Sequence, residues 1–186
     1  MNTNYNNRFG TTSAIELPSI INQLGNDLVG IEVGVWYGNN MCYLLDNCPG
    51  ISTMYGIDPY KPYQDWNRYI GKDLVEQAKA SALEKLYNFS RRKWDLLCDE
   101  SENVATTMFH GVEKIDFIFI DGDHSFEMCY KDLNLWYDKV RPGGLFSGHD
   151  FSLQGVNKAL LKFRQERNIK GFFKVIPNDV WYWIKD

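Results

Sequence analysis

Little in this chain invites an exotic reading. Only four cysteines occur in 186 residues, at Cys42, Cys48, Cys98 and Cys129, and no pair has C-x-x-C spacing. That excludes the common zinc and dithiol arrangements. Apolar surroundings suggest buried free thiols in a reducing compartment, so a cytoplasmic location is expected. No apolar run is long enough to span a bilayer, so no membrane partner is expected. The polar, Asn-rich start "MNTNYNNRFG" resembles neither a signal peptide nor a transit peptide. Basic excess is also missing. The formal net charge is −4, and the run Arg91-Arg92-Lys93 is short. Phosphate-backbone binding needs clustered Lys and Arg, so nucleic acid is not the expected partner. Finally, there is no G-x-G-x-x-G turn, which speaks against a nicotinamide dinucleotide and a dehydrogenase.

What is present is a 44% hydrophobic chain with enough length for one real core. Residues 1–12 read as a flexible lead-in and 13–186 as a single domain. "SAIELPSIINQLG" predicts a helix with Ser13 as cap, Pro18 early in it or splitting it, and Gly25 at its end. From there β-rich and helical segments alternate. Strands are predicted near Leu28–Val33, "STMYGID", "KWDLLCD", "KIDFIFID" and "GGLFSGHD". Helices are predicted near Asn39–Asn47, Leu74–Ser90, "SENVATTMFHG", Phe126–Lys139 and "VNKALLKFRQERN". Alternation of this kind means an α/β fold, a doubly wound Rossmann-like sheet of mostly parallel strands. The ending "GFFKVIPNDVWYWIKD" holds two strands around a Pro-Asn turn. With no helix between them, the last of seven strands must run antiparallel to its neighbours.

Doubly wound sheets bind ligands beyond the carboxyl ends of their strands. The first strand ends in Glu32-Val33-Gly34 with Gly38 opening the next helix, a turn that suits close approach of a ligand or a plain strand-to-helix connection. The second ends in Asp58, a little over twenty residues after the glycine turn. An acid there accepts hydrogen bonds from both hydroxyls of an adenosine ribose, or caps a turn. The third ends in Asp99-Glu100-Ser101, where an acid could meet an adenine amino group and Ser101 could cap its helix.

The fourth and fifth strands end in Asp121-Gly122-Asp123-His124 and Ser147-Gly148-His149-Asp150. Neighbouring strands lie about 4.8 Å apart, which would aim Asp121 and Asp150 into one small volume. Carboxylates that close repel unless one is protonated or a cation separates them. All-oxygen ligation suits Mg²⁺ or Ca²⁺, and His149 as a ligand widens the choice to Mn²⁺ or Fe²⁺. The plainer alternative is a pair of capping aspartates beside a satisfied histidine.

The stretches "IEVGVWYGNN", "YGIDPY", "DES", "IDFIFIDGDHSFEMCYKDLNLWYDKVRPGGLFSGHDF" and "GVNKALLKF" together resemble class I S-adenosylmethionine-dependent methyltransferases. The subgroup they look most like is that of small bacterial enzymes near the macrocin O-methyltransferase type of sugar O-methyltransferases. The resemblance implies that Glu32, Gly34 and Gly38 shape the methionine pocket, that Asp58 holds the ribose, and that Glu100 and Ser101 flank the adenine. It implies Asp121 at the border between cofactor and acceptor. Metal-dependent members hold Mg²⁺ at the positions of Asp121 and of an acid pair, and His149-Asp150 stands where those members have two acids. Asp123, His124 and His149 are then the candidates for the base, and Asp121 and Asp150 for a metal. The expected activity is methyl transfer to a hydroxylated small molecule such as a sugar, with Mg²⁺ as an optional helper and a homodimer compatible with the aromatic content. Two alternatives are a cofactor-binding module without catalysis and a nucleotide-dependent oxidoreductase. The aromatic loop Tyr60–Tyr69, with Tyr60, Tyr63 and Trp66, and the lead-in before Ser13 are candidate lids.

Overall fold

The computed structural model describes residues 12–65, 68–111 and 115–186. Seven strands form the main sheet: β1 (Leu28–Val33), β2 (Ile51–Ile57), β5 (Trp94–Leu97), β6 (Ile115–Ile120), β7 (Val140–Gly148), β8 (Lys174–Ile176) and β9 (Val180–Ile184). Their order is β5-β2-β1-β6-β7-β9-β8. All pairings are parallel except those of β9, which runs antiparallel to both β7 and β8. The hairpin turns through Asn178 and Asp179, both at φ 64°. Asn and Asp tolerate that left-handed conformation better than most residues.

Helices cover both faces, as a buried parallel sheet requires. On one face α1 (Pro18–Ile21), α2 (Asn39–Asn47) and α3 (Lys72–Leu86) pack Leu17, Ile21, Met41, Leu44, Ala82 and Leu86 against Phe117 and Phe119 of β6. On the other, α4 (Ser101–Thr107), α5 (Phe126–Tyr137) and α6 (Gln154–Glu166) pack Val104, Leu133, Trp136, Leu160 and Phe163 against Ile118 and Ile120. Successive residues of β6 therefore feed opposite layers, which explains its nearly unbroken apolar sequence.

Several local expectations change. The first helix shrinks to one turn that starts at Pro18, and Leu17 stands at its cap position. Ser13 caps nothing; its backbone N–H donates to Asn40 Oδ1 at 3.1 Å. Ser101 stands next to the cap as the first residue of α4, and Glu100 takes the cap position itself. Cys98 is exposed, while Cys42, Cys48 and Cys129 are buried. The aromatic loop contains a small hairpin, β3 (Tyr63–Asp65) with β4 (Arg68–Ile70). Trp66 and nearly all of the lead-in lie outside the described residues. Among the described residues, no helix is long and apolar enough to cross a membrane.

Candidate functional site

The strand order reverses between β1 and β6, and there the two strand ends nearly touch. Asp121 N–H donates to Val33 O at 2.7 Å. Gly34, at φ 85°, could carry no side chain, because a Cβ would collide with the Asp121 carbonyl oxygen. Gly34 thus serves strand-to-strand closeness as well as any ligand. Gly38, at φ 76°, packs against Ala82 and opens α2. It supports the cavity rim without lining it.

Above these ends lies a cavity of about 1180 Å³. Its wall includes Glu32, Gly34, Asp58, Glu100, Ser101, Asp121, Asp123, His124 and Asp150, so most of the sequence-derived candidates meet in one space. Tyr60 and Tyr63 of the candidate lid line the same cavity, as does Trp36 after β1. Across the mouth Lys61 Nζ pairs with Glu100 Oε1 at 3.0 Å.

On the β1–β2 side, no ion pair to Glu32 or Asp58 is found among the described residues. Glu32 is 1% exposed, and its Oε2 has no hydrogen-bond partner among the described residues. Burial, then the charges of Asp121 and Asp58, push its pKa well above the ordinary glutamate value. Asp58 is fixed by backbone donors. Its Oδ2 accepts from Val35 N–H at 3.1 Å and Trp36 N–H at 2.9 Å, and its Oδ1 from Tyr60 N–H at 2.8 Å. Burial raises the Asp58 pKa against the opposing pull of those three donors. Two oxygens offer about four lone-pair sites, so among the described residues one site on Oδ1 is left to a ligand hydroxyl.

The β6–β7 side is built differently. His124 Nε2 lies 2.8 Å from Asp150 Oδ2, and His149 Nδ1 lies 3.0 Å from the same oxygen. Asp121 Oδ1 stands 3.4 Å from His149 Nδ1 and 3.9 Å from His124 Nε2. His149 Nε2 meets the Asn178 carbonyl oxygen at 2.8 Å. Asp121 and Asp150 raise the His124 pKa to about 10. For His149, burial works against the charge, but the same two carboxylates prevail and the value again reaches about 10. Burial likewise opposes ionisation of Asp121 and Asp150, and the histidines outweigh it, leaving both below the ordinary aspartate value. Asp150 holds its place with φ 59°.

Asp123 turns its Oδ1 to the Ser125 N–H at 2.7 Å, the turn-capping role. The Ser101 hydroxyl is engaged within the protein: its Oγ donates to Asp132 Oδ1 at 2.6 Å and accepts from Trp136 Nε1 at 2.8 Å.

Two wall residues escaped the sequence reading. Asn40 donates through Nδ2 to Asp121 Oδ2 at 3.4 Å and to Ser13 Oγ at 3.2 Å, and its Oδ1 accepts from Thr12 Oγ1. It ties the entry of the domain to the site. Asp132, on α5, is 6% exposed, and burial raises its pKa to about 6. The available signal was periodicity: Asn40 and Asp132 are polar residues on otherwise apolar helix faces.

A seven-stranded sheet with one antiparallel strand and a cavity at its switch point defines the Rossmann-like methyltransferase architecture. A family model described as "Methyltransferase domain" matches residues 31–151, and the chain belongs to that family. An uncharacterized protein of Acanthamoeba polyphaga mimivirus is 26% identical over 192 residues, covering 93% of this chain and 80% of that protein. Among solved structures, the O-methyltransferase NovP is 20% identical with a TM-score of 0.62, covering 92% of this chain and 80% of its own. The O-methyltransferase TomG from Streptomyces achromogenes, involved in tomaymycin synthesis and solved in complex with SAM, is 10% identical with a TM-score of 0.65, covering 94% and 79%. At these identities the structural likeness shows the fold.

Proposed function

We propose that the chain is an S-adenosylmethionine-dependent O-methyltransferase acting on a hydroxylated small molecule, a sugar being the leading class. The observation that carries the cofactor is Glu32. A fully buried carboxyl with an orphaned oxygen in a cavity wall is costly unless a cationic partner arrives. S-adenosylmethionine carries an ammonium and a sulfonium, and it supplies an electrophilic methyl group. Glu32 and Asp121 provide the negative wall for that charge. Asp58, pre-set by three backbone donors, offers Oδ1 to the ribose. Glu100 stands at the adenine end, and Ser101 acts there by holding Asp132.

The acceptor falls to the β6–β7 side. Its hydroxyl must give up a proton, and alignment with the donor should supply most of the rate gain. His124 lines the cavity, whereas His149 sits behind it with both ring nitrogens engaged. We therefore assign the acid–base role to His124 and a supporting role to His149. Asp123 also lines the cavity, with its Oδ1 taken up by the Ser125 N–H. Extra positive charge beside Asp121 weakens the field that holds the His124 proton, so a filled cofactor pocket moves its pKa down towards the working range. The residues do not suit Mg²⁺. That hard ion prefers octahedral oxygen ligation, and imidazole N–H groups crowd the two carboxylates here.

Calorimetric titration with S-adenosylhomocysteine tests the reading. Saturable binding is expected, with a rise in melting temperature. No heat and no thermal shift at millimolar ligand would refute it. Screening sugar and phenolic hydroxyl acceptors for cofactor-dependent methylation then tests the acceptor class.

A further inference from the structure

The four side chains Asp121, His124, His149 and Asp150 admit two arrangements of charge. In one, a divalent cation lies between the aspartates. Distance permits it, because one ligand atom each from Asp121, His124 and Asp150 lie within 4.8 Å of one another. Hydrogen-bond chemistry argues for the other.

The Asn178 carbonyl, 2.8 Å from His149 Nε2, is an acceptor only, so that nitrogen carries a hydrogen. His149 Nδ1 faces Asp150 Oδ2 at 3.0 Å and Asp121 Oδ1 at 3.4 Å, and ionised carboxylates also only accept. Both nitrogens therefore carry hydrogen. The ring is an imidazolium and has no lone pair for a metal. His124 Nε2 reaches the same Asp150 oxygen at 2.8 Å, so Asp150 Oδ2 already receives two N–H groups. The two carboxylates thus meet histidine N–H groups where a cation would otherwise sit.

We propose that the N–H groups of His124 and His149 stand in for a divalent cation: the quartet is a closed, hydrogen-bonded cluster built on the His149 imidazolium that binds no metal and turns the His124 ring towards the acceptor oxygen. The claim that His124 faces an acceptor rests on the methyltransferase reading. The claim that the cluster is metal-free does not. The terminal hairpin completes the device. Its Asn178 carbonyl holds His149, and Asp179 clamps the chain after Asp150 by accepting from Ser152 N–H at 3.0 Å and from Ser152 Oγ at 2.5 Å. The high histidine pKa values agree with this arrangement.

The test is metal binding itself. Apo protein is titrated with Mn²⁺ and free ion is followed by electron paramagnetic resonance. No saturable site tighter than about 1 mM is expected. His149→Asp, which restores a second acid, should gain Mn²⁺ affinity by tenfold or more. Should that variant fail to fold by circular dichroism, His149→Glu serves the same purpose, with the same direction of change. Stoichiometric micromolar Mn²⁺ binding by the wild-type chain overturns the proposal. So does a Co²⁺ complex whose d–d absorption disappears in His124→Gln, and so does a folded His149→Asp that binds no tighter than wild type. Titration of the same preparation with S-adenosylhomocysteine judges the methyltransferase reading separately: its failure with metal-free Mn²⁺ data leaves the ion quartet standing and removes only its catalytic purpose.

Discussion

The two halves of the cavity use the same residue types to opposite ends. On the β1–β2 side, Glu32 is buried and Asp58 half-buried, neither paired with a cation among the described residues, and burial lifts both pKa values. On the β6–β7 side, Asp121 and Asp150 feel burial too, but His124 and His149 reverse its effect. One half is charge-frustrated and waits for a cationic ligand. The other is already neutral. Asp121 belongs to both, since it faces the histidines through Oδ1 and Asn40 through Oδ2 while raising the pKa of Glu32. A cavity divided in this way suits a cationic donor on one side and a neutral acceptor on the other.

The largest effect that would sharpen this contrast belongs to Asp58→Ala. Charge-assisted hydrogen bonds contribute about 1.5–3 kcal/mol each. Losing one to the ribose and disturbing the loop at Val35 and Trp36 should weaken S-adenosylhomocysteine binding roughly 100-fold by calorimetry. Affinity within threefold of wild type would break the assignment of that half.

Next comes Asp150→Ala, on the other half. It leaves two imidazoliums facing Asp121 alone and should cost about 1–3 kcal/mol in denaturant unfolding. Cofactor-product affinity should change little. Equal losses of stability and affinity would mean the halves are not separable.

Stability against pH gives a third, moderate effect. Folded-state histidine pKa values of about 10 stand above the free value of 6.5, so this contribution is whole below about 6.5 and is lost as pH rises through about 10. The aspartates are shifted down from 3.8, so their contribution is whole above that pH and is lost as pH falls below it. Melting temperature should decline on the alkaline arm from about pH 7 onward, and His124→Gln combined with His149→Gln should flatten that decline. An unchanged alkaline arm in the double variant would remove the quartet as its source.

The smallest effect concerns Glu32→Gln. A carboxyl with a strongly raised pKa is readily replaced by its neutral isostere, so stability should stay within about 0.5 kcal/mol. The informative change is in protons. Wild type should release a proton as the ligand cation ionises Glu32, visible as a dependence of binding heat on buffer ionisation enthalpy, and the variant should not. Identical buffer dependence in both proteins would take Glu32 out of the cation wall.

Much of the architecture was legible because strong periodicity leaves few choices. The apolar run Ile115–Ile120 bounded by Lys114 and Asp121 could hardly be anything but a covered strand. The Pro-Asn-Asp turn between two aromatic-rich runs foretold the hairpin. Cap positions were less legible. Ser13 and Ser101 look like caps locally, yet each hydroxyl is drawn to a partner far along the chain, Asn40 and Asp132. Cys98 follows an apolar strand but lies at its exposed end. For the two serines a long-range contact outweighed a local preference of about 1 kcal/mol.

The linear order of residues by itself determined the alternation of strands and helices, the antiparallel last strand, and the carboxylates at the strand ends. Those features follow from side-chain periodicity and from turn residues, which act over a few positions. Only the tertiary structure decided which carboxylates stand alone and which are paired. That outcome depends on the Asn178 carbonyl and Asp150 converging on one imidazole, 29 residues and 1 residue away along the chain. Electrostatic partnership is a matter of ångströms in space, and nothing in local sequence encodes it.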